Sequence, residues 1–88
     1  MGNVLGHQAK ADYIRKVKAT PCADCGIRYP YWVMDLDHRP GTVKLFTVAD
    51  KYVSYGMATV KAEVAKCDVV CANCHRQRTH TRSGILEI

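Results

Sequence analysis

Two cysteine pairs, Cys22-Ala-Asp-Cys25 and Cys71-Ala-Asn-Cys74, are C-x2-C turns. Each such turn aims two thiolates at one point. Two turns complete a tetrahedron around a zinc ion, at about 2.3 Å per Zn–S bond. A filled tetrahedron leaves no open position, so the expected zinc is structural. It would tie the first turn to the start of the last helix and close most of the chain into one loop. Residues 26–70 are a long insert for a simple ribbon, so something is housed between the turns. The fifth cysteine, Cys67, lies near the apolar pair Val69-Val70 and reads as a small buried residue, not a ligand. Pro21-Cys-Ala-Asp-Cys25 also matches half of the zinc deaminase signature, whose other half is an upstream H-x-E. The only upstream histidine is His7, followed by Gln8 and Ala9, so the general acid/base is missing and deaminase is excluded.

A second constellation sits beside the cysteines. Asp37-His38 falls where an alternating pattern stops and Arg39-Pro40-Gly41 begins. Asn73 lies within the second C-x2-C turn, and His75 directly follows it. Phosphodiester hydrolysis needs a base for water, a metal to offset charge on the phosphate, and something to hold the base. These residues supply a carboxylate, an adjacent histidine, an amide and a second histidine. Zinc would bring the last two to a fixed place. Singly, each has an ordinary structural explanation; their joint occurrence carries the inference.

Met34-Asp-Leu-Asp-His-Arg39, followed by Cys67-Asp-Val-Val-Cys-Ala-Asn-Cys-His-Arg76, resembles the HNH endonuclease family, in its compact four-cysteine branch common in phages and prophages. The resemblance covers roughly residues 20–80. It implies a small α+β, zinc-stabilised ββα-metal (HNH/His-Me finger) domain, with an N-terminal helix and an inserted helix. It implies His38 as general base, with an unperturbed pKa of about 6.5 that suits the task. It implies Asp37 and His75 as ligands of one catalytic divalent cation, Mg2+ or another such as Mn2+ or Ni2+. Asn73 matches the polar residue that orients the base loop. Many relatives carry their central Asn about five residues before the second cysteine turn, where this chain has Lys66. Asp35 shares a strand face with Asp37 and is a supplementary carboxylate. Arg39, Arg76, Arg78 and Arg82 would grip phosphates flanking the cut, which gives position without sequence information. The implied partner is DNA, double-stranded and read with weak sequence preference. Phage packaging proteins are further partners, and the bacterial host cytoplasm is the setting.

The elements that must position these residues follow from periodicity. Residues 7–19 lack Gly and Pro and place Ala9, Tyr13, Ile14 and Val17 on one face, which predicts a helix with a basic outer side that Pro21 ends. Residues 22–26 form a tight turn. Residues 31–37 alternate Trp32, Met34 and Leu36 against Tyr31, Val33, Asp35 and Asp37, a strand pattern. Residues 43–48 fit a short strand or an extended loop. A helix is expected within 50–66, with Met57, Val60 and Val64 at helical spacing. A second strand spans Cys67 to Cys71, and a polar, basic helix spans 72–82. His80 reads as surface.

The chain has 88 residues, which bounds it at one domain, residues 1–88, with the basic helix at 1–19. Domains this small usually need a staple such as a metal. No apolar run is long enough to span a membrane, and no secretory or lipidation signal is expected at the start. The thiols are therefore expected in a reducing cytoplasm, where cysteine patterns read as metal sites before disulfides. The formal charge is +5, and about +3 once four thiolates hold one Zn2+. That suits an anionic polymer. Lys10, Arg15, Lys16 and Lys18 cluster near the start, and Arg76, Arg78 and Arg82 near the end. Two other classes also fit: a non-catalytic zinc-finger module that binds nucleic acid, and an iron redox protein of the rubredoxin kind. Asp37-His38 beside a second histidine distinguishes the enzyme from the binding module, and colour distinguishes iron. Oligomeric state is open.

Overall fold

The computed structural model describes residues 2–83. The first helix, α1, spans Gly2–Lys18, close to the 1–19 bounds of the basic helix and longer than the periodic segment 7–19. Ala19 N–H bonds to Lys16 O, and the Thr20 hydroxyl donates to Val17 O, which closes the last turn before Pro21. Arg15, Lys16 and Lys18 stand in that turn, where cations complement the helix dipole. Ile14 is buried, with Tyr13 and Val17 packed beside it. Two positions depart from the sequence reading. Ala9, expected on the inner face, is exposed. Lys10, expected on the basic outer side, is buried, and its ammonium donates to Val53 O (3.2 Å) and Tyr55 O (2.7 Å). It secures a loop and adds nothing to a basic surface.

After the first cysteine turn, residues Tyr31–Val33 form a 3-10 turn, not strand. Pro30 has no N–H for a ladder, and Val33 N–H instead bonds to Pro30 O at 2.9 Å. Trp32, grouped by alternation with Met34 and Leu36, is 73% exposed, whereas Met34 is buried. Strand β1 begins only at Met34 and runs Met34–His38. It pairs antiparallel with β2, Cys67–Cys71, in the register Met34↔Cys71 to His38↔Cys67.

Between the strands, Arg39-Pro40-Gly41 turns the chain, with Gly41 at φ +89°, a region that favours glycine. Residues 43–47 are extended loop, not strand. The insert holds more helix than expected: a short α2, Val48–Lys51, a 3-10 turn at Tyr52–Ser54, and α3, Met57–Val64. Val60 and Val64 are buried, as their spacing predicts, and so is Glu63 between them. The last helix, α4, spans Ala72–Ser83 and follows β2 directly.

The result is a small α+β architecture. Ile14, Phe46, Val48, Val60 and Val64 form one apolar cluster, against which Leu36 packs. Cys22, Met34, Val70 and Cys71 form another, around the cysteine turns. No helix among the described residues is long and apolar enough to cross a membrane.

Candidate functional site

The first cysteine turn is held by its own backbone. Gly26 N–H bonds to Cys22 O, Cys22 N–H to Ile27 O, and Ala23 N–H to Val69 O of β2, each at 2.9 Å. Gly26 has φ +75°, which its lack of a Cβ permits. The second turn begins at the last residue of β2 and continues into α4. Together they place the sulfurs of Cys22, Cys25, Cys71 and Cys74 all within 4.8 Å of one another. Two sulfurs on one tetrahedral zinc lie about 3.8 Å apart, given Zn–S bonds of about 2.3 Å. The Cys25 and Cys71 sulfurs are 4.0 Å apart.

Backbone N–H groups of Asp24, Cys25 and Cys71 point at the Cys22 sulfur, at 3.4, 3.5 and 3.3 Å. Burial pushes the Cys22 thiol up, but these donors outweigh it and bring the thiol down to about 6. Cys74, crowded first by the Cys71 thiol, is pushed up to about 12. Four anions cannot share this space without a cation, so donor set and electrostatics fit a zinc ion. Cys67 is outside the cluster: its thiol reaches Glu63 O at 3.5 Å, and burial raises it to about 11.

Alternation on β1 turns Asp35 and Asp37 toward α4. His75, in the first turn of α4, meets both: Nδ1 lies 2.9 Å from Asp35 Oδ2, and Nε2 lies 3.6 Å from Asp37 Oδ1. Asp35 thus orients the ring as carboxylates do for metal-binding histidines. The same Asp37 oxygen also accepts from Arg82 Nη1 at 2.8 Å, so a cation of the chain itself already faces it. Two ligand atoms each about 2.1 Å from one ion lie about 3.0 Å apart at a right angle and about 3.6 Å apart at 120°. The observed 3.6 Å lies at the wide end of that range.

Asp35 and His75 also stand between two hollows. One, of about 440 Å³, is lined by Asn73, Arg76 and Thr79; the other, of about 230 Å³, by Lys18, Thr47 and Ala49. Arg76 is exposed beside the first and forms no ion pair among the described residues. His80 is exposed on α4.

The other arginines differ from the sequence reading. Arg78 donates twice to Asp24, at 2.6 Å, and also to Asp37 Oδ2 (2.9 Å) and Asp68 Oδ2 (3.0 Å). Arg82 donates to Asp37 Oδ1 at 2.8 Å. Arg39 donates to Cys67 O, Ala65 O and Asp68 Oδ1. Three of the four arginines expected to face phosphate are thus engaged with the protein's own acceptors. The reason is register: Asp37 and Asp68 lie opposite each other in the hairpin, and like charges so placed need a cation. Burial raises the Asp37 carboxyl, but Arg82 and Arg78 outweigh it and hold it below the ordinary range.

His38 ends β1 on the face opposite Asp37. Its Nε2 lies 2.7 Å from Glu63 Oε2 on α3. The carboxylate in contact with the histidine is therefore Glu63, while Asn73 is exposed on α4 and lines the hollow near His75. The sequence signal for Glu63 is a carboxylate between Val60 and Val64 on the apolar stripe of α3. A buried charge there requires partners. Comparison with known protein families, curated proteins and solved structures finds no match for this chain.

Proposed function

We propose that the chain is a metal-dependent DNA endonuclease of the HNH, ββα-metal type. The observation that carries this reading is the His75 ring, clamped by Asp35 with Nε2 3.6 Å from Asp37 Oδ1, on the residue next to His38. A divalent ion on Asp37 and His75, such as Mg2+, Mn2+ or Ni2+, would act as Lewis acid toward the scissile phosphate. His38 accepts a proton from the attacking water. Arg76 and Lys18, on the two hollows beside His75, grip the flanking phosphates. The zinc cluster holds α4, and hence His75, against β1.

One observation favours a second reading, a non-catalytic zinc module that binds nucleic acid. Arg78 and Arg82 already neutralise Asp37 from within the chain, so the carboxylate has a use without an ion.

Plasmid cleavage with added Mg2+, Mn2+ or Ni2+ separates the two. The wild-type chain should nick or linearise the plasmid. His38→Ala should lose roughly 10²–10⁴-fold in rate while keeping zinc, fold and DNA binding. Full cleavage by His38→Ala, with contaminating nuclease excluded, or no cleavage by the wild type with any of the three ions, would replace the enzyme by the binding module.

A further inference from the structure

Glu63 is 1% exposed and still carries a complete set of partners. Oε2 accepts from the Leu45 backbone N–H at 2.9 Å and lies 2.7 Å from His38 Nε2, while Oε1 accepts from Lys66 Nζ at 2.9 Å. Lys66 also donates to Val43 O at 2.7 Å. The carboxylate thus joins three parts of the insert: α3, the extended loop at 43–45 and the end of β1. Burial disfavours its charge, but Lys66 and the Leu45 N–H outweigh this and hold it at about 2. Near neutrality it is ionised.

An ionised carboxylate only accepts hydrogen bonds. The histidine nitrogen facing it must therefore carry the proton. We propose that Glu63 is the positioning residue of His38, fixing the Nε2–H tautomer and leaving Nδ1 as the nitrogen that takes a proton from water. The purpose assigned to Nδ1 rests on the nuclease reading; the tautomer does not. The logic is that of a histidine base held by a carboxylate on its other nitrogen. Lys66 matters in turn, because it anchors the carboxylate from the side away from His38.

Imidazole 1H–15N NMR on the zinc-loaded full chain tests this directly. The wild type should show a slowly exchanging, downfield His38 Nε2–H with Nδ1 unprotonated, and His38→Ala should remove that signal. Glu63→Gln, whose amide oxygen still accepts, should keep the proton on Nε2 with a smaller downfield shift. Glu63→Leu should lose the protected signal. In cleavage, Glu63→Leu should lower kcat by about 10–100-fold with KM for plasmid unchanged, and Glu63→Gln should recover most of the loss. A wild-type proton on Nδ1, or a fast-exchanging ring with no downfield signal, overturns the proposal. So does wild-type kcat in folded Glu63→Leu. If the wild type shows the Nε2–H signal and cuts nothing, the tautomer assignment holds and the nuclease reading falls.

Discussion

Arg78→Met keeps the aliphatic stem and removes a guanidinium that reaches three carboxylates. The loss can be worked from exposure. The Asp37 side chain is 7% exposed, so its charge-assisted bond contributes about 1.5–3 kcal/mol. The Asp24 and Asp68 side chains are 35% and 30% exposed, and solvent screening makes those pairs the minor part of the loss. Arg82 stays on Asp37 and limits the damage. The variant should therefore lose about 3 kcal/mol. For a domain of this size that lowers Tm by about 12–24 °C. The assay is urea and thermal unfolding of zinc-saturated protein, beside Asp37→Asn and the double variant. Asp37 and Asp68 face each other, so removing one charge relieves what losing Arg78 exposes. The double variant should be more stable than additivity predicts by at least about 1 kcal/mol. A loss under about 1 kcal/mol, or strict additivity, refutes the claim that Arg78 is an internal counter-ion.

Chelation or the pair Cys22→Ser/Cys74→Ser should abolish the cooperative melt, since zinc–thiolate binding contributes on the order of 10 kcal/mol. Metal analysis should find one zinc per chain and no colour, and a folded, metal-free variant would contradict this. Arg76→Ala should reduce the slope of log DNA affinity against log salt by about 0.9, whereas Arg78→Met should leave it unchanged, because that cation already serves carboxylates. Glu63 has a folded pKa of about 2 against an ordinary 4.5. Its stabilisation is therefore complete above the ordinary value and lost as pH falls toward the depressed one. In a His38→Ala background, which removes the neighbouring imidazole titration, the advantage of Glu63 over Glu63→Gln should shrink by roughly 0.5 kcal/mol or more between pH 6 and 4; an advantage that grows would refute the assignment.

What was legible in the sequence was local. The C-x2-C spacing marks two sulfurs that a turn must bring together, and both pairs meet in one cluster. The spacing of Met57, Val60 and Val64 marks a helix, and Cys67–Cys71 marks a strand, because side-chain periodicity is a property of a few consecutive residues. Alternation also placed Asp35 on the same strand face as Asp37, and both carboxylates meet His75.

Only the tertiary structure decided where each charge goes. Lys10 and Arg78 look in sequence like any basic residues on a helix, yet one ends on two backbone carbonyls and the other on three carboxylates. The hairpin register sets Asp37 against Asp68 and so creates the need for Arg78. Glu63 lies 25 positions from His38 in the chain, and the fold of the insert alone brings them together. A charge's partner is chosen by distance and burial in space, neither of which a residue's own neighbours in sequence can fix.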